Sequence, residues 1–338
     1  MHMSNPQPTT LPSPSTSDSS PSAPSAPGRP PSAQPASVRP RSAPGEPPER
    51  RRAARKASTA AAIAAAAIPT LMTALDNLVM TFALPDIERE LGATVTQLQW
   101  FVNAYTLVVA SALLPMAALG DRFGRRRVFS YGIAVFAAAS AACALAPTPQ
   151  ALIVARAVQG AGGAAIVTLS LALLVDAVPR RLRELAIGVW GGVNGLGIAT
   201  GPLLGGAVVS GLHWSVVFWI NVPIGALSLP LVPRFLPRAA VGSRGADRLG
   251  TVLGIGFVFP LTWAVVEGPA RGWTDRLTIG GFAAAGICLV LFLLRERSAK
   301  APVMPLSLFA DRRFSLINAA TVLFAAGVFG AIFFLSQF

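Results

Sequence analysis

The sequence of 338 residues predicts an all-α integral membrane protein. Only 13% of the residues are charged, about half the share that is usual in soluble domains, and the mean hydropathy is +0.56. Long stretches without Asp, Glu, Lys or Arg recur along the chain, and they match the ~20 residues that a membrane-spanning helix needs. Buried helices of a soluble protein are usually shorter and flanked by amphipathic ones, so that alternative is set aside.

Nine membrane spans are predicted from the charge-free stretches. GLHWS at Gly211–Ser215 divides the longest stretch into two spans, and PTPQ at Pro147–Gln150 divides another. The predicted spans cover residues 58–84, 97–119, 128–146, 150–175, 185–210, 216–233, 249–267, 277–294 and 314–338.

The amino-terminal segment 1–57 begins with a Pro-, Ser- and Ala-rich run. Such a composition cannot bury a hydrophobic core, so a disordered cytoplasmic tail is predicted there. The tail lacks the features of a secretory signal. A binding site for a partner domain is an alternative to an inert extension.

The distribution of Lys and Arg predicts the orientation of the spans. With the amino terminus in the cytoplasm, the inner segments carry 21 Lys and Arg residues and the outer loops carry three. This asymmetry follows the positive-inside rule and predicts a multi-pass protein of the cell membrane. The net charge of +13 then reflects a cytoplasmic membrane face, and nucleic acid is not an expected partner.

Enzymatic chemistry has no visible basis in the sequence. Cys143 and Cys288 lie inside predicted spans and are expected to pack as small apolar residues. His2 and His213 form no cluster. Neither a catalytic site nor a metal or cofactor is therefore expected.

A charged hairpin, LGDRFGRRRVF, connects the second and third predicted spans. Basic residues hold it on the inner side and glycine permits a tight turn, but neither explains the acid. The spacing resembles the signature loop GxLxDRxGRR of the major facilitator superfamily, with Ala117 in place of its first glycine. The resemblance implies a charge cluster that latches the cytoplasmic side and opens in each cycle, made of Asp121, Arg122, Gly124, Arg125 and Arg126.

The fifth predicted span carries GLGIATGPLLGG, which resembles the GxxxGPxxGG antiporter motif of that superfamily. Glycines four residues apart share one helix face and allow two helices to pack backbone to backbone, and the proline adds a bend. A generic helix-packing face is the alternative. The residues concerned are Gly197, Gly201, Pro202, Gly205 and Gly206.

Other motifs resemble the fourteen-helix drug:proton antiporter branch of the superfamily. ARAVQGAGGAA in span four is similar to RxxQGxGxA, and LDNLVMTFALP in span one is similar to LDxTIVNVALP, with Leu78 and Thr81 as departures. FWINVPIG (Phe218–Gly225) and PVMPLSLFADRRF (Pro302–Phe314) also resemble this branch.

The resemblance implies a major facilitator fold with two six-helix bundles. Residues 58–233 then form the amino-terminal bundle, 234–294 a linker with two inserted helices, and 295–338 a loop with the first helix of a carboxy-terminal bundle. Because that bundle lacks its other helices, we expect a truncated copy, or a half whose carboxy-terminal partner is separately encoded.

The resemblance also implies proton-driven export of small organic molecules, often amphiphilic or cationic, by alternating access. The proton gradient takes the place of a cofactor, and the lipid bilayer and the substrate are the expected partners. A facilitator or importer of the same fold without proton coupling is one alternative, and a non-transporting membrane fragment is another.

Asp76 and Arg156 are charged residues inside predicted spans, at similar distances from the outer ends. A charge at mid-membrane costs at least ~2.5–3.5 kcal/mol, so retained ones usually pair or function. Asp76 is expected to bind the coupling proton or a cationic drug, and a permanent ion pair with Arg156 is the alternative. Residues that are able to line a central cavity, or equally to pack between helices, are Trp100, Asn103, Tyr105, Gln159, Trp190 and Asn194.

Overall fold

The computed structural model describes residues 48–209, 211, 213–238, 247–299 and 302–335. Regular secondary structure in this part of the chain is helical throughout, which confirms the predicted all-α class. The helices are α1 (Pro48–Leu91), α2 (Val95–Phe123), α3 (Arg125–Ala144), α4 (Pro149–Ala177), α5 (Arg183–Val209), α6 (Val216–Trp219), α7 (Asn221–Phe235), α8 (Arg248–Arg271), α9 (Arg276–Ser298) and α10 (Arg312–Leu335), with short 3₁₀ helices at Arg180–Leu182 and Leu306–Ala310.

Seven helical segments among the described residues are long and apolar enough to cross a membrane. They correspond to predicted spans one to four and six to eight, and α6 together with α7 forms the sixth. The predicted fifth and ninth spans fall on α5 and α10, which have 27 and 24 residues and include side chains outside the described set. The chain is therefore a multi-pass helical membrane protein.

Helix α1 begins earlier than the first predicted span. It starts at Pro48, so residues 48–57 are helical. This corrects the prediction of a disordered tail over residues 1–57. Arg, Lys and Ala dominate this segment and are strong helix formers, and proline is tolerated in the first turn of a helix. Residues 1–47 lie outside the described residues.

Helix α4 lies between α2 and α3, α1 packs against α5 and α7, and α8 pairs with α9 and also contacts α2. Two hydrophobic clusters fill the interior of the bundle. On α1 the first cluster ends at Met72 and the second begins at Val79. On α3 the first cluster ends at Phe136 and the second begins at Cys143. The level between the two clusters is left for polar side chains.

Glycines of α4 allow close helix packing near this level. A Cβ atom at Gly162 would lie 2.7 Å from the backbone nitrogen of Phe136, and one at Gly160 would lie 2.7 Å from the backbone oxygen of Tyr105. Backbone atoms cannot move aside as a flexible side chain does. Glycine therefore permits α4 to approach both α2 and α3 at short distance.

Asp247 joins the α8–α9 pair at one end. Its carboxylate caps α8 by accepting a hydrogen bond from the Gly250 N–H at 3.1 Å, and Arg295 of α9 donates to it at 2.9 Å. Burial of this carboxyl opposes ionisation, but the hydrogen bonds from Arg295 and Gly250 outweigh burial and lower the pKa of Asp247 below its usual value.

Candidate functional site

Five polar side chains meet between the two hydrophobic clusters, and we call them the polar cluster. They come from four helices: α1, α3, α4 and α7. Each has at most 1% of its surface exposed. The members of the polar cluster are Asp76, Ser140, Arg156, Gln159 and Asn221.

The Asp76 carboxylate accepts hydrogen bonds from three of these neighbours. Arg156 Nη1 lies 2.5 Å from its Oδ2. Gln159 Nε2 and Asn221 Nδ2 lie 2.7 and 2.8 Å from its Oδ1. The structure thus brings Asp76 and Arg156 together as an ion pair whose side chains are both 0% exposed.

Arg156 is fixed by further contacts. Its Nε donates to the backbone oxygen of Phe101 at 2.9 Å, and its Nη1 also donates to Gln159 Oε1 at 2.8 Å. The guanidinium carbon lies 4.4 Å from the centre of the Tyr105 ring, a cation–π geometry. Its Nη2 has no hydrogen-bond partner among the described residues.

Ser140 connects the amides of the cluster to α6. Its hydroxyl oxygen accepts from Asn221 Nδ2 at 2.9 Å and from Gln159 Nε2 at 3.1 Å, and it donates to the backbone oxygen of Phe218 at 3.1 Å. Sequence reasoning missed Ser140 and Asn221. The only available signal was an Asn inside the apolar FWINVPIG motif, because a Ser in an Ala-rich helix is not distinctive.

Charge balance holds this arrangement together. One carboxylate and one guanidinium neutralise each other, and surrounding donors and acceptors satisfy most of their polar atoms. Breaking a buried pair leaves an uncompensated charge and is strongly unfavourable.

The other predicted lining residues do not share one cavity. Trp100 lines an apolar cavity of about 550 Å³ between α2, α4 and α8, with Phe259 and Trp263 on its far wall. Tyr105 and Gln159 belong to the surroundings of Arg156, as described above. Asn103 is partly buried on α2.

Trp190 and Asn194 lie one turn apart on α5, away from the polar cluster. Asn194 Nδ2 donates to Thr70 Oγ1 at 3.3 Å and to the backbone oxygen of Trp190 at 2.9 Å. Trp190 Nε1 donates to Ser170 Oγ at 3.3 Å. These contacts join α5 to α1 and α4.

The hairpin between α2 and α3 forms a second, exposed charge cluster. Arg125 Nη2 lies 3.0 Å from Asp121, and its Nη1 lies 3.6 Å from Asp176 at the end of α4. Asp176 was not predicted. Gly124 makes the turn with a φ of 97°, which favours glycine, and the Arg122 guanidinium lies 5.0 Å from the Phe123 ring centre.

Arg126 joins the same hairpin to α7. Its Nη1 donates to the backbone oxygens of Pro233 and Leu236, at 3.1 and 3.2 Å. Carbonyl groups at the end of a helix lack helical partners and attract cations. This contact fixes the start of α3 against the end of α7.

The glycine face of α5 packs against α1. A Cβ atom at Gly201 would lie 2.9 Å from the Leu78 Cβ, and one at Gly197 would lie 2.8 Å from the Ala74 Cβ. Leu78, the departure from the family motif, thus lies against this face. Gly206 has open space around it. Pro202 and Gly205 belong to the same helix, but their side-chain positions lie outside what the structure describes.

An acid–base pair buried inside a multi-pass helical protein is typical of membrane transporters. The family model of the Major Facilitator Superfamily matches residues 66–338. The chain belongs to this superfamily, whose members are transporters and not enzymes. Among the residues that the structure describes, no group of His, Cys, Asp and Glu is arranged to hold a metal ion.

The chain is similar to antibiotic resistance proteins. It is 39% identical over 274 residues to the tetracenomycin C resistance and export protein of Streptomyces glaucescens, covering 80% of this chain and 51% of that protein. It is 38% identical over 273 residues to the methylenomycin A resistance protein of Bacillus subtilis (strain 168), covering 80% of this chain and 59% of that protein. The chain thus spans about half the length of the relatives it matches.

The fold is also similar to a solved transporter. The crystal structure of the POT family transporter PepTSo gives a TM-score of 0.51 at 15% sequence identity, covering 73% of this chain and 55% of that one. At this identity the similarity concerns the fold alone.

Proposed function

We propose that this chain carries the amino-terminal bundle of a transporter that exports small organic molecules in exchange for protons. The observation that supports this most is the Asp76 carboxylate, held by Arg156 and two amides at the junction of four helices. The relatives' names, which include resistance and export of an antibiotic, support drug-like substrates. Amphiphilic or cationic compounds are the proposed class.

Coupling would operate through the charge of Asp76. A proton on this carboxyl removes the partner of Arg156, and the uncompensated guanidinium then favours a rearrangement of the helices around it. Since α1, α4 and α7 all contribute to the polar cluster, their relative positions would follow the protonation state. Alternating access would couple this movement to the passage of substrate.

The exposed hairpin would serve as a latch on the cytoplasmic side, with the amino terminus in the cytoplasm. Arg125 lies between Asp121 of α2 and Asp176 of α4. Water competes for exposed ion pairs, so they form and break at little cost. Such a latch can open in every cycle without a large barrier.

A permanent structural ion pair is the second candidate role of Asp76 and Arg156. The complete burial of both side chains favours this role as well, because a sealed pair has no direct route to water. The chain would then belong to a facilitator of the same fold, without proton coupling.

Efflux measurements separate the two roles. The gene, with its native flanking sequence, is expressed in a pump-deficient host, and extrusion of a cationic dye is followed before and after the pH gradient is collapsed. We expect efflux that needs the gradient and that Asp76→Asn abolishes at equal membrane abundance. Asp86→Asn is the matched control, because Asp86 lies on the same helix and pairs with the exposed Arg89.

Unchanged efflux in Asp76→Asn would assign the buried pair a structural role, and efflux without a gradient would favour the facilitator. The same efflux measurement is made with residues 1–338 expressed alone. It tests the expectation that the amino-terminal bundle does not transport by itself.

A further inference from the structure

The hydrogen bonds at Asp76 all run in one direction. The described partners of its carboxylate are N–H groups, from Arg156, Gln159 and Asn221. Such groups stabilise a carboxylate, but they cannot accept a hydrogen bond. The O–H of a protonated Asp76 would therefore face only donors, and a buried O–H without an acceptor is unfavourable. One of the partners has to turn if the proton is to be accommodated.

Gln159 is held at both ends of its amide. Its Nε2 donates to Asp76 and Ser140, and its Oε1 accepts from Arg156 Nη1 at 2.8 Å. The Cys143 thiol also donates to this oxygen, with a sulfur–oxygen distance of 3.7 Å. Turning the amide would direct an NH₂ group at the guanidinium, so Gln159 is not the group that turns.

Asn221 is held at one end only. Its Nδ2 donates to Asp76 Oδ1 at 2.8 Å and to Ser140 Oγ at 2.9 Å. Its Oδ1 takes part in no hydrogen bond with the residues that the structure describes. A half-turn of the amide exchanges oxygen and nitrogen, and it would place Oδ1 beside both Asp76 and Ser140, where it accepts an O–H from each.

We propose that the Asn221 amide turns with the protonation state of Asp76, an inference that rests on the proposed proton coupling at this site. While Asp76 is ionised, Nδ2 of Asn221 faces the carboxylate. When a proton from the aqueous phase binds to Oδ1 of Asp76, the amide turns and its oxygen accepts the new O–H. Gln159 Nε2 continues to donate to a remaining lone pair of the same Asp76 oxygen. Asn221 is thus a positioning residue of the coupling site.

Ser140 carries the change to α6. Its hydroxyl now donates to the Phe218 backbone oxygen, close to the point where α6 ends at Trp219 and α7 begins at Asn221. The turned Asn221 oxygen accepts this hydroxyl and releases the Phe218 carbonyl. Protonation of Asp76 thereby loosens α6 from α3.

Infrared difference spectroscopy of the purified chain, labelled with ¹³C-asparagine, detects the amide without a substitution at 221. On titration to acid pH we expect a carboxylic acid C=O band that Asp76→Ala removes and Asp86→Ala retains. One asparagine C=O band should move to lower frequency together with it, because its oxygen becomes an acceptor. In Asp76→Ala this movement should be lost.

Two asparagine variants extend the test to transport. Asn221→Leu removes the amide at Asp76, and Asn194→Leu is the matched control because Asn194 contacts Thr70 and Trp190 but not the polar cluster. We expect Asn221→Leu to raise the frequency of the Asp76 acid band and to lower the maximal rate of gradient-driven efflux by about ten-fold, with little change in KM. Asn194→Leu should leave the Asp76 band unchanged.

An Asp76 acid band without an accompanying asparagine shift overturns the inference, even where efflux is proton-driven. The absence of any Asp76 acid band also overturns it. Paired bands in a protein that shows no efflux would support the turning amide and reject the proposed transport activity.

Discussion

The polar cluster and the hairpin contain the same kinds of charged residue in opposite surroundings. The side chains of Asp76 and Arg156 are both 0% exposed, whereas those of Asp121 and Arg125 are 62% and 36% exposed. Side chains from four helices surround the buried pair and shield it from water. Water solvates the exposed pair, so it breaks at a cost of about 0–1 kcal/mol. Burial, more than residue type, therefore distinguishes the proposed coupling site from the proposed latch.

The largest expected effect comes from neutralising the buried acid. Asp76→Asn leaves the Arg156 charge uncompensated, and we expect the free energy of unfolding to fall by about 3–5 kcal/mol. The measurement is thermal or denaturant unfolding of the purified protein in detergent. Asp121→Asn is the control with an exposed carboxylate.

A double variant sharpens this prediction. Asp76→Asn with Arg156→Gln removes both charges, so it should be more stable than Asp76→Asn alone although it carries one substitution more. If Asp76→Asn and Asp121→Asn lowered the free energy of unfolding equally, burial would not distinguish the two ion pairs.

The enclosure of the polar cluster can be disturbed without changing any charge. Gly162→Ala places a Cβ atom 2.7 Å from the Phe136 nitrogen and 2.8 Å from the Gly132 oxygen, and overpacking of this kind costs about 1–3 kcal/mol. Gly201→Ala should cost less, because its new Cβ meets one atom closer than 3.0 Å, the Leu78 Cβ at 2.9 Å, whereas the Cβ at residue 162 meets two backbone atoms at shorter distances. Gly191→Ala, with nothing within 4 Å, is the control.

These three variants are compared by unfolding in detergent and by efflux at matched abundance. The expected order of destabilisation is Gly162→Ala, then Gly201→Ala, then Gly191→Ala. A loss of stability for Gly191→Ala as large as for Gly162→Ala would mean that close helix packing does not account for the effects, because alanine itself favours a helix over glycine.

The sequence was sufficient to predict the membrane fold and the contact between Asp76 and Arg156. Spans follow from charge-free length, and a charge inside such a stretch needs a partner at the same depth. Ser140 and Asn221 could not be predicted, because their roles depend on which faces of α3 and α7 turn inward. Trp100 shows the same limit, since its aromatic character did not reveal that it faces α8.

The ion pair between Asp247 and Arg295 is intermediate in burial between the polar cluster and the hairpin. The Asp247 side chain is 4% exposed and that of Arg295 is 40% exposed. The pKa of Asp247 is lowered, so its ionised form stabilises the fold above the unfolded-state pKa of about 3.9, and this stabilisation is lost as the pH falls through the folded-state pKa.

We expect Asp247→Asn to lower stability by about 1 kcal/mol at neutral pH and to show a smaller further loss in acid than the native chain. Unfolding midpoints of both proteins, measured between neutral and acid pH, test this. Parallel pH profiles for the two would contradict a contribution from the ionised carboxylate.

The smallest expected effect on stability belongs to the exposed hairpin. Asp121→Asn removes an i,i+4 pair with Arg125, and we expect the free energy of unfolding to fall by less than about 0.5 kcal/mol.

Arg125 also faces Asp176 at 3.6 Å, so one acid remains when the other is neutralised. Asp121→Asn with Asp176→Asn should therefore reduce efflux by more than the two single variants together, while stability changes little. Molar salt, in which the Debye length is about 3 Å, should remove the difference in stability between the native chain and the double variant. A loss of stability that persists at high salt would mean that this cluster resembles the buried pair, and the contrast between the two regions would fail.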